Sequence, residues 1–311
     1  MLFRASAPGS LMLLGEYAVL NGYPALVCAI DKRIAVTLEP RHDQQIHLTS
    51  SLGELQTTTS DIQVVKPFEF VLMTLKKYQQ HYKTGFNLTI EAEFSNTIGF
   101  ASSAAVTVAM LSALFAWLDF PCSLNDFVRY ARDIIRAVQG VGSGADVAAC
   151  VYGGLIAYQA EPLSVERFLN AYPITVIYSG SKTPTAQAIE QVKLAFVNKP
   201  AELLRIMQHI GACAKRGIQA VADRNWVDLG RIMTLQQVQM DALGVTTPVL
   251  KTILEYLASN DDMLGAKISG SGLGDCIVGL GELHEGLVAA DPGVIVIPVT
   301  ITKQGVYCEK N

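Results

Sequence analysis

Ile98-Gly-Phe-Ala-Ser-Ser-Ala-Ala105 opens a stretch, Ala104 to Leu118, that is almost wholly apolar. A helix apolar on every side is a buried helix, so the sequence predicts one here with small residues packed at its start. Small residues let the backbone come close to an anion. The first turn of a helix also presents free N–H groups and the positive end of its dipole. Ser102 and Ser103 add hydroxyls that can donate to phosphate or ligate Mg²⁺, which prefers hard oxygen ligands. A tight turn capped by serine fits the same residues equally well. The loop is not a Walker loop, because no Gly-Lys-Ser/Thr is present, and it is not the GxGxxG of a dinucleotide-binding turn.

Outward from this loop, strands and helices are mixed. Residues 3–6 and 24–38 read as strands, and 44–65 suits antiparallel strands or a hairpin. Over 67–82, Phe70, Val71, Leu75 and Tyr78 keep helical spacing. Residues 86–94 alternate apolar and polar, as a half-buried strand does. A helix over 124–138 follows Ser123, a plausible cap, and Gln139-Gly-Val-Gly-Ser-Gly-Ala145 breaks it. Strands are predicted at 154–158 and 173–178, then helices near 185–197, 200–223, 226–241 and 247–259. The last strands are placed at 264–269, 276–280, 294–302 and 305–308. There is no steady β-α alternation, so the expected class is α+β in two halves, 1–165 and 166–311.

Two further loops are crowded with small residues: Ala7-Pro-Gly-Ser-Leu-Met-Leu-Leu-Gly-Glu-Tyr-Ala-Val-Leu20 and Gly265-Ala-Lys-Ile-Ser-Gly-Ser-Gly-Leu-Gly-Asp-Cys276. The second alone reads as a glycine-rich turn after a strand. Asp146, at the end of the run 140–144, fits a helix N-cap and also a base that takes a proton from a substrate hydroxyl.

Composition removes several classes. The chain has 311 residues, 50% hydrophobic and 17% charged, with a net charge of −4. It carries no basic block, so a nucleic-acid partner is not expected. No apolar run reaches the length of a membrane span, and Met1–Ser10 lacks a signal pattern. Six scattered cysteines form no CxxC pair, as in a cytosolic protein with reduced thiols. The expected location is cytoplasmic.

Taken jointly, the three loops resemble the three signature motifs of the GHMP kinase superfamily. Pro8-Gly9 with Gly15-Glu16-Tyr17-Ala18-Val19 is similar to the first, Gly99-Phe100-Ala101-Ser102-Ser103-Ala104 to the phosphate loop, and Gly265–Gly274 to the third. Gly142-Ser143-Gly144-Ala145-Asp146 resembles the segment that carries the family's catalytic aspartate. Gly15 to Leu26 points to the mevalonate-pathway branch. Leu243 to Leu250 looks like mevalonate kinases, whereas Tyr17 and Gly274-Asp-Cys276 look more like phosphomevalonate kinases.

The resemblance implies a two-domain GHMP kinase fold, with a ribosomal-S5-like N-terminal half and a ferredoxin-like C-terminal half. It implies ATP and Mg²⁺ as cofactors and a small-molecule acceptor, mevalonate first and phosphomevalonate as the alternative. A sugar or homoserine acceptor, or a non-catalytic nucleotide-binding homologue, are the further alternatives. Carried over by residue, Gly99, Ala101, Ser102, Ser103, Ala104, Ser271 and Gly272 hold the nucleotide, and Ser103 is the metal ligand. Asp146 is catalytic, and Glu16, Tyr17 and Thr183 face the substrate. Two departures stand out. Ser10 replaces the lysine of the first motif, leaving Lys32, Arg33, Lys182 and Lys267 as candidates to supply its charge. Ile135 stands where mevalonate kinases carry a metal-binding glutamate, and Asp133 is turned by roughly 200° to the other helix face.

Overall fold

A computed structural model describes residues 1–283 and 293–310. Its strands are β1 (Phe3–Leu14), β2 (Ala25–Pro40), β3 (Gln45–Ser50), β4 (Gly53–Thr58), β5 (Phe86–Ala92), β6 (Leu155–Gln159), β7 (Ser164–Phe168), β8 (Ile174–Tyr178), β9 (Gly265–Ser269), β10 (Cys276–Leu280), β11 (Ile295–Ile297) and β12 (Tyr307–Lys310). Its helices are α1 (Glu69–Lys77), α2 (Ser102–Trp117), α3 (Leu124–Gln139), α4 (Ala145–Tyr152), α5 (Thr185–Ala195), α6 (Pro200–Ala222), α7 (Trp226–Ala242) and α8 (Pro248–Ala258).

These elements form two sheets. The first runs β12-β1-β2-β5-β3-β4, and β6 joins β2 and carries β7. Among the described residues only the β3–β5 pairing in it is parallel. The long β2 serves two partners in turn, β6 along Ala25–Cys28 and β5 along Ile34–Pro40. The second sheet is antiparallel, β11-β8-β10-β9. The expected division between 165 and 166 falls inside β7, which pairs with the first sheet, and β12 returns to that sheet at the far end of the chain. We therefore place the change of sheet between β7 and β8.

Helix α2 packs on β1 and β2 and against α1, α3 and α4. Buried residues from Ala104 to Phe115 occur on all its sides, which explains its unbroken apolar sequence. Helix α3 is amphipathic instead. Phe127, Val128, Ala131, Ile134 and Ile135 are its buried stripe, Ser123 Oγ caps its start by accepting from the Asp126 N–H, and Gly140 ends it in the left-handed conformation. The first small-residue segment is a strand as far as Leu14, not a loop. Its register slips between Pro8 and Gly9, and a bulge is where a strand tolerates proline. Among the described residues no helix is long and apolar enough to cross a membrane, and all six cysteines are free thiols.

Candidate active site

The phosphate-loop segment turns on Ala101, which adopts φ +52° and precedes α2 without a side-chain cap. In any α-helix the first N–H groups lack an intrahelical acceptor. At α3 serine satisfies one of them, whereas at α2 no side chain does, and the Ala104 N–H turns back to the Ala101 carbonyl at 2.9 Å. The loop is tied to β1, because the Ser10 N–H donates to the Phe100 carbonyl at 3.2 Å. A Cβ at Gly99 would lie 2.0 Å from Asp275 Oδ1, so only glycine lets that carboxylate rest on the loop.

Gly99, Ala101, Ser102, Ser103 and Ala104 all line a cleft of about 1550 Å³. Sites for one small ligand usually hold roughly 300–1,000 Å³, so two ligands fit side by side. Asp146 lines the same cleft from the first turn of α4. The turn before it needs Gly144, at φ +92°, where a Cβ would meet the Tyr158 hydroxyl at 2.6 Å and Arg132 Cδ at 2.8 Å. Tyr158 fixes that turn by donating to the Ser143 carbonyl at 2.6 Å. Ser10 Oγ donates to Asp146 Oδ1 at 2.9 Å. Burial raises the Asp146 pKa above the usual carboxylate value; the Ser10 hydrogen bond and the Lys182 charge oppose that rise, while Glu16 adds to it.

The third loop comes from the other half. Five of its residues, Gly270, Gly272, Leu273, Gly274 and Asp275, have positive φ. It is held from both sides: Tyr17 Oη donates to the Ser271 carbonyl at 2.6 Å, and Leu273 N–H donates to the Val245 carbonyl at 2.7 Å. Ser271 lines the cleft, whereas Gly272 packs behind it against Val245. Tyr17 also lines the cleft. Burial and the Glu16 carboxylate push its phenol well above the ordinary value, so it remains a neutral donor.

Of the two residues expected to face the substrate, Glu16 lines the cleft with its carboxylate already paired, and Thr183 is not among the cleft residues. The Glu16 carboxylate accepts from Lys267 Nζ and Gln236 Nε2, and the pair is buried, with side-chain exposures of 2% and 0%. Burial holds the Lys267 ammonium below its ordinary pKa, and the adjacent Glu16 works against that shift. Thr183 Oγ1 donates to the Leu273 carbonyl at 2.8 Å, whereas Thr185, two residues on, lines the cleft.

The candidate cations separate in the same way. Arg33 is held by Ser6 Oγ and by the carbonyls of Ser6 and Gly305 at 2.8–2.9 Å. Lys32 is not among the cleft residues, whereas Lys182 is. Asp275, read in the sequence only as a marker of the branch, also lines the cleft. Burial pushes its carboxyl up to about 6, with Lys182 opposing, and its Oδ1 is buried without a hydrogen-bond partner. A carboxylate inside a glycine-rich loop was the signal that could have singled it out.

For a metal ion, the donors at the loop are the hard hydroxyl oxygens of Ser102 and Ser103. Ile135 presents buried carbon to the cleft. Among the described residues no cluster of three or more His, Cys, Asp or Glu side chains is formed. Mg²⁺ normally keeps water and substrate phosphate oxygens and takes few protein ligands, and this donor set fits that habit.

Phosphoryl transfer asks a protein mainly for positioned donors, charge neutralisation and an oriented acceptor, so the class is that of a small-molecule kinase. Comparison with known families agrees. The GHMP kinases N terminal domain matches residues 69–154, the GHMP kinases C terminal domain matches 218–290, and the galactokinase galactose-binding signature matches 3–40. The chain belongs to the GHMP kinase superfamily, in its mevalonate/phosphomevalonate kinase branch, and is an ATP-dependent phosphotransferase with a small-molecule substrate. The mevalonate kinase of Methanothermobacter thermautotrophicus is 30% identical over 89% of this chain and 90% of its own length. That of Pyrococcus abyssi is 27% identical over 90% and 88%. Among solved structures, the Lin0012 protein from Listeria innocua superposes with a TM-score of 0.87 at 21% identity, covering all of both chains.

Proposed function

We propose that the chain transfers the γ-phosphoryl group of ATP to an acceptor of the mevalonate pathway, with mevalonate as that acceptor. The observation that carries the choice of an alcohol is Asp146, a carboxylate in the cleft wall whose pKa burial has raised. A base with that property suits a hydroxyl nucleophile. The acceptor oxygen bonds to the γ phosphorus, the bond from that phosphorus to the β–γ bridging oxygen breaks, ADP leaves, and the hydroxyl proton passes to Asp146. The α2 N–H groups and Ser102 hold the nucleotide phosphates, and Ser271 borders them from the other half. Mg²⁺, when bound, neutralises phosphate charge, and Ser103 is the residue that would hold it. Relatives named mevalonate kinase, matched over 88–90% of their own length, support the acceptor.

Phosphomevalonate is the second reading, favoured by Ile135 on the cleft wall and by Asp275 beside the phosphate loop. Its phosphate oxygen is already ionised and needs no base. ADP release measured with mevalonate, phosphomevalonate, homoserine and galactose decides between them. Turnover with mevalonate at least about tenfold above the rest in kcat/KM, a difference of some 1.4 kcal/mol, is the expected result. A preference for phosphomevalonate overturns the first reading, and turnover with neither overturns both.

A further inference from the structure

The cleft around the phosphate loop is rich in negative charge. Asp146 and Asp275 line it, and the phosphates of ATP add more. A phosphoryl group in transfer develops charge that a preorganised cation stabilises. Two cations line the cleft among the described residues, Lys66 and Lys182. Lys66 precedes α1 and is exposed. Lys182 is tied to the loop itself: its Nζ donates to the carbonyls of Asn96 at 3.0 Å and Ile98 at 3.2 Å. Ile98 is the residue immediately before Gly99, so the ammonium sits within one peptide unit of the phosphate cradle. An ammonium has three donors, and these two carbonyls occupy two.

The segment carrying Lys182 is braced against the third loop. Ser179 N–H donates to the Asp275 carbonyl at 2.9 Å and Asp275 N–H donates to the Ser181 carbonyl at 2.6 Å. The Asp275 carboxylate in turn rests on Gly99. Lys182 itself stays exposed, and its positive charge favours the ionised form of both Asp146 and Asp275. It therefore lies on the cleft wall beside the phosphate loop, with one N–H to spare.

We propose that Lys182 sets its ammonium against the γ-phosphoryl group of bound ATP and stabilises the charge that develops there, in place of any cation at Ser10. This inference rests on the phosphoryl-transfer reading above. The test measures binding of ADP and of the triphosphate analogue AMPPNP, each with Mg²⁺, to the wild type and to Lys182→Met and Lys182→Arg of the full chain. Steady-state turnover is followed in parallel. A charge-assisted contact to the γ-phosphate predicts that Lys182→Met binds AMPPNP at least about tenfold more weakly while ADP affinity is unchanged. Turnover falls by roughly 10²–10³-fold, the scale of losing one stabilising donor, and Lys182→Arg recovers part of both. A lysine that merely ties the 179–184 segment to the loop would weaken ADP and AMPPNP alike, or neither, and either result overturns the proposal. A wild-type chain without turnover on any acceptor defeats the phosphoryl-transfer reading instead, and the ADP–AMPPNP difference still decides the position of Lys182. Should Lys182→Met fail to fold, the arginine variant decides: AMPPNP affinity within about twofold of wild type, with turnover at least partly kept, supports the placement, and equal weakening of both nucleotides removes it.

Discussion

Two polar clusters flank the third loop, each with a lysine and at least one carboxylate, and they are built to opposite ends. One is closed: Glu16, Lys267, Gln236 and Gln237. Lys267 pairs with Glu16, Gln236 bonds Glu16 and the Gly15 N–H, and Gln237 accepts from the Ile268 N–H at 2.9 Å. The other is open: Ser10, Asp146, Lys182 and Asp275, all on the cleft wall. In the closed cluster Glu16 also borders the cleft, but its carboxylate is already matched by the buried Lys267 ammonium and a Gln236 N–H. In the open cluster Lys182 is held by carbonyl dipoles and Asp146 by a neutral hydroxyl, so both formal charges remain to act on what enters the cleft. Charge alone does not make a residue functional here; what it is already paired with decides.

The comparison breaks most visibly at Asp146. Asp146→Asn keeps the shape and removes the base. Turnover with the acceptor should fall about 10²–10⁴-fold, the usual contribution of a positioned general base. Nucleotide affinity and the denaturant midpoint should stay near wild type. Unchanged turnover would take Asp146 out of the base role and leave the phosphorylated acceptor, with its ionised oxygen, as the better substrate.

The closed cluster should respond the other way. Lys267→Met leaves Glu16 buried without its counter-charge, and removing one partner of such a pair typically costs about 3–5 kcal/mol. The loss should appear in urea unfolding. Adding Glu16→Gln should restore part of it, since replacing both partners avoids the stranded charge. If the two substitutions simply add, Glu16 and Lys267 do not act as a unit, and the contrast between the clusters loses one side.

Much of this was legible in the sequence for identifiable reasons. Helix α3 announced itself through Ser123, its apolar stripe and Gly140, all local features. The loop at 98–105 stood out by its small residues before an apolar run, but only the two partner loops raised it above a serine-capped turn. What escaped depends on contacts between distant parts of the chain. Pro8 and Gly9 suggested a loop, but the bulge against β2 keeps β1 continuous through them. The β12 strand pairs with β1 across the whole chain length. Glu16 was legible as part of a motif, yet its partner Lys267 lies 251 residues away and no local pattern joins them. Thr183 and Thr185 are chemically identical in the sequence; only the fold turns one to the Leu273 carbonyl and the other to the cleft.

The smallest expected effect lies at Ser10, and it sharpens the account of the open cluster. Ser10 is 1% exposed and its hydroxyl opposes the rise that burial imposes on the Asp146 pKa. A base must be ionised to accept a proton, so kcat/KM rises with pH through the Asp146 titration of the free enzyme. Ser10→Ala removes the hydrogen bond to the ionised form, and the acid limb should move to higher pH by up to about one unit, the equivalent of a 1.4 kcal/mol hydrogen bond. The rate on the plateau above that limb should change little. Ser10→Lys should move the limb the opposite way, because an ammonium beside Asp146 favours the carboxylate. If neither substitution moves the limb, the titrating group is not Asp146. If Ser10→Lys also raises the plateau strongly, Lys182 is not supplying the charge assigned to it.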